Sequence, residues 1–410
     1  MTGRILALCV ALIWGSLLAV TATAQGFSAL ARVDAERSLI RDAGQGARIE
    51  LHLSQGVPYR IFTLDGPPRL VLDFQEVDWA GLDQERLLQG ENLRAVHFGA
   101  YVPGWSRMVL DLGRPMQVEA AEMAVDPVTA AAVLSLDLQR SDAAAFAASA
   151  GAPKDRRWDL PAPEALNPAA PRDANAPLVV VLDPGHGGID PGAQVEGGVD
   201  EKSLMLEFAF ELGEMLVRSG QFSVQLTRDG DYFVSLERRI ALAHQAGADL
   251  FISLHADSLS EGGAHGSTVY TLSKDASDAA SAKLAERHDR SDLLAGTDLT
   301  AADDLVTDVL LDLARQETQP RSEALARSIV DGLRAQGGPL NRRPLRAAGF
   351  SVLKSADTPS VLVEIGFLSS QRDLKNLLDP AWRTKAARGI LAGLIEWRIR
   401  DEAQRPLVRQ

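Results

Sequence analysis

Between residues 48 and 139, apolar and polar positions alternate in short runs. The stretches 48–54 (Arg-Ile-Glu-Leu-His-Leu-Ser), 59–64, 69–74, 107–112 and 133–138 each repeat with a period of two. That is the pattern of half-buried antiparallel strands. Gly66-Pro67-Pro68 and Pro103-Gly104 punctuate the runs. The stretch 25–140 therefore predicts a small all-β sandwich. From Pro177 the period changes. Short apolar runs at 178–182, 223–226, 250–254 and 361–363, with a further strand over 267–272, alternate with helical spacing over 202–218, 236–245, 321–336 and 381–400. Alternating strand and helix predicts an α/β domain over 177–400, with a mixed, largely parallel sheet and helices on both faces. Residues 401–410 are left as a tail.

Two segments fit neither pattern. Residues 141–176 hold 13 alanines and 5 prolines, which predicts a semi-extended linker, with a marginal helix near 143–150 as the competing reading. Residues 1–24 read as a secretory signal. Arg4 precedes the apolar stretch 5–20, and Ala22-Thr23-Ala24 forms a small-residue cleavage site. The apolar run is short for a membrane span, and no later stretch is long and apolar enough to cross a bilayer.

Composition narrows the classes. The chain has 410 residues and a formal charge of -13, which argues against general nucleic-acid binding because phosphate contacts need basic surface. The one cysteine, Cys9, lies in the leader, so the exported chain would carry no thiol, and a Cys-rich zinc module or disulfide framework is excluded. The charge is uneven. Residues 275–317 hold 11 acids and 4 bases, whereas 320–410 hold 16 bases and 9 acids. An acidic segment could dock on a basic C-terminal region, an attraction that salt weakens.

In α/β folds, ligands sit beyond the carboxyl ends of the strands. Three candidate groups fall there. The run 178–182 leads into Asp183-Pro-Gly-His186-Gly-Gly188, the run 250–254 into His255-Ala-Asp257, and the run ending at Val363 into Glu364. Glu201 opens the helix after the first glycine-rich loop. Two imidazoles and one carboxylate, His186, His255 and Glu201, form a catalytic zinc set with one position left for water. Zinc lowers the pKa of that water towards ~7. Glu364 is then available as the base that moves its proton. Blander readings exist for each residue: a loop histidine, a carboxylate at a helix N-terminus, an ion pair between Glu364 and Arg346. His52, His97, His244 and His288 are assigned to structural positions, and His265 is the nearest competitor.

The ordered set Val181-Leu-Asp-Pro-Gly-His-Gly-Gly188, Glu201-Lys202, Thr227-Arg-Asp229, Leu236-Glu-Arg-Arg239, the run 248–257 and Pro359-Ser-Val-Leu-Val-Glu-Ile-Gly-Phe-Leu-Ser369 resembles the zinc-dependent N-acetylmuramoyl-L-alanine amidases (Amidase_3 family) over about 177–400. More loosely, the strands before it resemble an AMIN domain of the kind that targets periplasmic division amidases to peptidoglycan. The resemblance implies one catalytic Zn2+ on His186, Glu201 and His255, with Glu364 as the catalytic residue. The implied reaction cleaves the amide between the lactyl group of N-acetylmuramic acid and L-alanine, in the periplasm. Ser370 and Asp257 stand where Asn is more usual, which touches substrate fit rather than the chemistry.

Residues 275–317 interrupt the domain. Helical spacing over 279–288 and 301–314 predicts two helices, and an excursion of this length is usually functional or mobile. Related division amidases carry here a helix that blocks the zinc cleft until a LytM-domain activator displaces it. The resemblance therefore implies autoinhibition, with Glu286 the candidate for the blocking carboxylate. The alternatives are a zinc peptidase or deacetylase acting on another wall bond, since zinc chemistry alone does not choose the bond, and a wall-binding protein without activity.

Overall fold

The computed structural model describes residues 30–75, 77–102, 104–153, 176–195, 198–259, 264–289, 294, 305–355 and 357–408. The expected signal segment 1–24, most of the Ala/Pro-rich stretch and most of 290–304 lie outside the described residues.

The N-terminal part is a two-sheet sandwich. Its strands are β1 (Leu39–Ala43), β2 (Gly46–Leu53), β3 (Tyr59–Leu64), β4 (Arg69–Gln75), β5 (Leu93–Val102), β6 (Trp105–Leu112), β7 (Met116–Val125) and β8 (Ala132–Arg140). One sheet runs β7-β8-β2-β1 and ends on the short strand Leu88–Gln89; the other runs β3-β4-β6-β5. Strict alternation puts Ile49 and Leu51 of β2 and Leu134 and Leu136 of β8 against Leu70, Leu72 and Leu110 of the facing sheet. β7 was missed by pattern because it is an edge strand whose side chains are mostly exposed.

The competing reading for the start of the linker holds. α1 (Gln84–Leu87) is a single turn, but α2 (Ala143–Ser149) is a helix capped by Asp142, which accepts from the N–H groups of Ala144 and Ala145. Its Phe146 is fully buried in the sandwich core. The sandwich therefore uses residues beyond 140.

The C-terminal part is built on β9 (Leu178–Pro184), β10 (Phe222–Leu226), β11 (Leu250–His255), β12 (Ser267–Leu272), β13 (Leu340–Ala348) and β14 (Ser360–Glu364), in the order β10-β9-β11-β14-β12-β13. The β10–β9–β11–β14 run is parallel, β12 is antiparallel to β14, and β13 is parallel to β12. The helices are α3 (Glu201–Arg218), α4 (Leu236–Gln245), α5 (Ala279–Asp289), α6 (Leu305–Ala335), α7 (Gln371–Leu377) and α8 (Pro380–Val408). One sheet face (Val180, Leu182, Ile252, Val363) packs on α3, α6 and α8. The other (Val181, Phe251, Leu362) packs against Leu236 of α4, Leu284 of α5 and Phe350. α3 presents Leu204, Phe208, Leu212 and Leu216 at helical spacing to that first core.

Two expectations change, and one strand is added. The helices expected over 301–314 and 321–336 are one element, α6, that continues through Pro320. Pro320 has no N–H to give the i to i-4 bond there, and Arg321 just after it is tied to Asp401 of α8 at 2.7 Å. The expected tail is helical to Val408. The strand β13, Leu-Asn-Arg-Arg-Pro-Leu-Arg-Ala-Ala, has no apolar alternation because it is an edge, where arginines and Pro344 discourage further pairing.

The burial of Phe146 has a measurable consequence. Phe146→Ala should cost about 3 kcal/mol of sandwich stability in urea unfolding; a cost near zero would place α2 outside the core.

Candidate active site

The three strand ends converge. β9 and β11 are neighbours, as are β11 and β14, and the register pairs His255 with Glu364. Glu201 is the first residue of α3, whose N-cap Asp200 accepts from Ser203 N. Its carboxylate is fully buried. Oε1 accepts from Ala256 N at 2.8 Å and Oε2 from Ala193 N at 2.9 Å. His255 Nδ1 lies 3.0 Å from Oε1, and His186 Nε2 lies 3.2 Å from Oε2. The rings of His186 and His255 are 4.9 Å apart, edge to face. A Cβ on Gly185 would stand 2.1 Å from the His255 ring, so that glycine lets the two histidines approach.

The His186 loop is held by charge. His186 itself has φ +61°, a left-handed conformation that costs a non-glycine residue about 1 kcal/mol. Two buried arginines, neither marked as functional by spacing, grip the carbonyls of this loop. Arg228 donates to Pro184 O and Gly185 O, each at 2.9 Å, and to Lys202 O at 2.7 Å. Arg239 donates to Pro184 O at 3.0 Å and to His186 O at 2.8 Å. Arg239 also pairs with buried Asp183, which accepts from Thr227 and Ser253 as well. Burial, with Arg239 beside it, draws Arg228 down to about 10, still charged at neutral pH.

Asp190, four residues after His186, sits 2.8 Å from its Nδ1. This partner was missed by sequence reasoning, although its spacing was visible. A carboxylate there keeps the proton on Nδ1 and turns Nε2 into the cluster. Burial would lower the His186 pKa, but the charges of Asp190 and Glu201 outweigh it and hold the ring well above its usual value. Burial, reinforced by His288 alongside, pulls His255 down to about 4, so it is neutral at pH 7.

Glu364 completes the cluster. It is fully buried and its Oε2 accepts from Asp257 N at 3.0 Å. Burial and the nearby Glu201 and Asp257 raise its pKa well above the usual carboxyl range. Arg346, considered as its ion-pair partner, instead binds Asp278 at 2.7 Å. His265, the other competitor, lies in the stretch before β12, outside this cluster.

Two residues of the inserted segment bear on the site. Glu286 is exposed on α5. The residue that α5 turns inward is His288, which the sequence assigns to a structural position. It is buried, its ring 4.2 Å from that of His255 and 5.7 Å from that of His186. Its Nε2 is 3.3 Å from Asp257 Oδ2 and 3.9 Å from Glu364 Oε1. The nitrogens of His186, His255 and His288 fall within 4.8 Å of one another.

These residues fit a metal ion. His186 Nε2 and Glu364 Oε1 are buried without a hydrogen bond, the condition a ligand would relieve. The nitrogen–oxygen separations of 3.0 and 3.2 Å lie near the edge of a tetrahedron with arms of ~2.0–2.1 Å, about 3.3 Å.

The N-acetylmuramoyl-L-alanine amidase family (Amidase_3) matches residues 180–396, and the AMIN domain family matches residues 39–138. Over 361 residues the chain is 31% identical to N-acetylmuramoyl-L-alanine amidase AmiC of Neisseria meningitidis serogroup B, covering 85% of this chain and 86% of that one. The chain belongs to the N-acetylmuramoyl-L-alanine amidases. The amidase is also 40% identical over 220 residues to AmiA of Escherichia coli K12, covering 53% of this chain and 75% of that one. A solved amidase structure from Clostridium difficile 630 overlays on 55% of this chain and 97% of its own, at 22% identity and a TM-score of 0.39.

The arginine clamp carries the prediction from this geometry. Arg239→Met leaves Asp183 charged and unpaired in the amidase core, which should cost about 3–5 kcal/mol in urea unfolding. A loss below about 1 kcal/mol would mean that the hydroxyls of Thr227 and Ser253, not Arg239, carry that charge.

Proposed function

We propose that this amidase is zinc-dependent and cleaves the bond between N-acetylmuramic acid and L-alanine of peptidoglycan stem peptides. The observation that carries this reading is the convergence of His186, Glu201 and His255 at adjacent strand ends, with Glu364 buried beside them. His186, Glu201 and His255 would hold the ion. When bound, zinc supplies a water of lowered pKa and polarises the amide carbonyl.

The chain's own groups do the rest. Asp190 fixes the tautomer of His186. Two backbone N–H groups orient Glu201. Glu364, with a raised pKa and one oxygen facing the cluster, takes the proton of the attacking water and delivers it to the leaving nitrogen of L-alanine. Export to the periplasm is part of this proposal, supported by the AMIN match and the AmiC relatives; recruitment to the division site and a role in daughter-cell separation are proposed with it.

The amidase is further proposed to be autoinhibited by α5, with His288 rather than Glu286 as the blocking group. An imidazole at the position needed by water gives inhibition a direct cause. α5 is well held. Asp278 caps it and binds Arg346 of β13, Arg287 reaches Asp257 at 2.7 Å, and Asp289 accepts from Ser351 N at 2.9 Å. A LytM-domain activator that lifts α5 would have to break these contacts.

Mass spectrometry of digested sacculi tests the reaction. Stem peptides beginning with L-alanine should appear, and a chelator should abolish them; cleavage within the stem, or deacetylated glycan, would favour a zinc peptidase or deacetylase instead. Glu364→Gln should retain zinc and lose at least about 100-fold in turnover. For the inhibition, His288→Ala and deletion of 275–317 should both raise basal hydrolysis, whereas Glu286→Ala should leave it unchanged. The reverse ranking of the two point variants would restore Glu286 as the blocking group.

A further inference from the structure

The strand β4 does not behave as a half-buried strand. Leu70, Leu72 and Phe74 face the sandwich core, yet Arg69, Val71 and Asp73 on the opposite face are also buried. The same holds for Val109 of β6. Something covers the outer face of the β3-β4-β6-β5 sheet, and it is the catalytic domain. Phe62, Val71, Tyr101 and Val109 form one apolar cluster with Ile189 and Phe233.

The contact is specific as well as apolar. Ile189 N donates to Ala100 O at 3.0 Å, and Phe233 N donates to Tyr101 O at 3.1 Å. The rings of Tyr101 and Phe233 stack with centroids 5.9 Å apart. Gly188 has φ +58°, and a Cβ there would lie 1.9 Å from Ala100 O, so only glycine allows this approach. Ile189 is the residue between that glycine and Asp190, which orients His186. Arg107 adds a second grip. It is 3% exposed, pairs with Asp73 at 2.6 Å, and lies 3.6 Å over the Tyr101 ring. Its remaining guanidinium nitrogen donates to Leu294 O, in the inserted segment, at 3.2 Å.

We propose that the outer face of this sheet is a docking surface for the chain's own catalytic domain, a clasp that restrains the His186–Asp190 loop through Ile189 and the inserted segment through Arg107. The second restraint rests on the autoinhibition proposed above; the first does not. A wall ligand or partner that competes for this face would loosen both at once.

Hydrogen exchange of the full chain tests it. Peptides spanning 187–190 and 231–234 should be protected, and Tyr101→Ala or Phe233→Ala should speed their exchange at least about tenfold. Peptides from β2 and β8 report the sandwich's own core and should not change, which separates undocking from unfolding. Unchanged exchange at 187–190 and 231–234 in both variants, with that core intact, would overturn the clasp. Faster exchange throughout the β2 and β8 peptides would also overturn it, because the face would then serve the sandwich fold alone.

Arg107→Gln reads the second grip. It should speed exchange of the α5 peptide 279–289 and raise basal hydrolysis of sacculi. Faster α5 exchange with unchanged hydrolysis would leave the clasp standing and remove the inhibitory role of the segment. Unchanged α5 exchange would remove the Arg107 grip, whatever the activity.

Discussion

Two carboxylates, Glu201 and Glu364, are fully buried in one cluster, and the surrounding structure is organised to tolerate them. Burying an ionised carboxylate is costly unless it is paired or hydrogen-bonded. Glu201 meets that cost with two backbone N–H donors, two histidines and its place at the N-terminus of α3, where the helix macrodipole favours negative charge. Its pKa is held well below the usual range although burial alone would raise it. Glu364 has one N–H donor and two acidic neighbours, so its pKa moves the other way. Two glutamates within one cluster thus acquire opposite properties, one a permanent anion suited to a cation and the other a group that can hold and release a proton. Such divergence is how acid and base roles are divided among like residues.

The placement of the two glutamates was legible in the sequence because both stand at element ends. Strand-end placement is a property of chain order, and the apolar runs before Asp183, His255 and Glu364 announce it. What was not legible depends on partners distant in sequence. Arg228 and Arg239 stand in motifs that carry the resemblance, but their spacing does not show what they do; that lies in the carbonyls that they reach. His288 lies on a helix whose spacing suggests only an apolar face through Leu284 and Ala285, and its inward turn depends on where α5 docks. Glu286 was the more attractive choice on charge alone, but two residues apart on a helix means nearly opposite faces, so His288 and Glu286 could not both face the cleft.

The charge asymmetry along the chain also takes a more particular form. An acidic insertion facing a basic C-terminal region suggests diffuse attraction, which salt would screen. Among the described residues the clearest such contact is Arg346 with Asp278, with side chains only 17% and 31% exposed. Partly buried pairs are screened less than surface charges. The edge strand β13 therefore has two uses for its arginines: they discourage pairing with another sheet edge, and one of them anchors the cap of α5. The alternation pattern missed this strand for the same reason, since a strand built for those tasks has no apolar stripe to display.

The His186 loop shows why the sandwich belongs to the argument about chemistry. A loop with a residue at φ +61° stores strain and persists only where its surroundings over-determine it. From inside, Arg228 and Arg239 bind three successive carbonyls, those of Pro184, Gly185 and His186. From outside, Ile189 packs on the outer face of the sandwich's second sheet, and Gly188 is bare so that the two backbones can meet. The side chains of His186 and Asp190 lie between these two anchors and face the cluster. A single domain could hold such a loop by its carbonyls, but its outer surface would then be an exposed apolar residue beside the cleft. Covering Ile189 and Phe233 with the second face of a sheet removes that exposure and explains why β4 and β6 are buried on both sides. The alternation that predicts the sandwich already contains this sign in Val71 and Val109, on the face that alternation alone would assign to solvent.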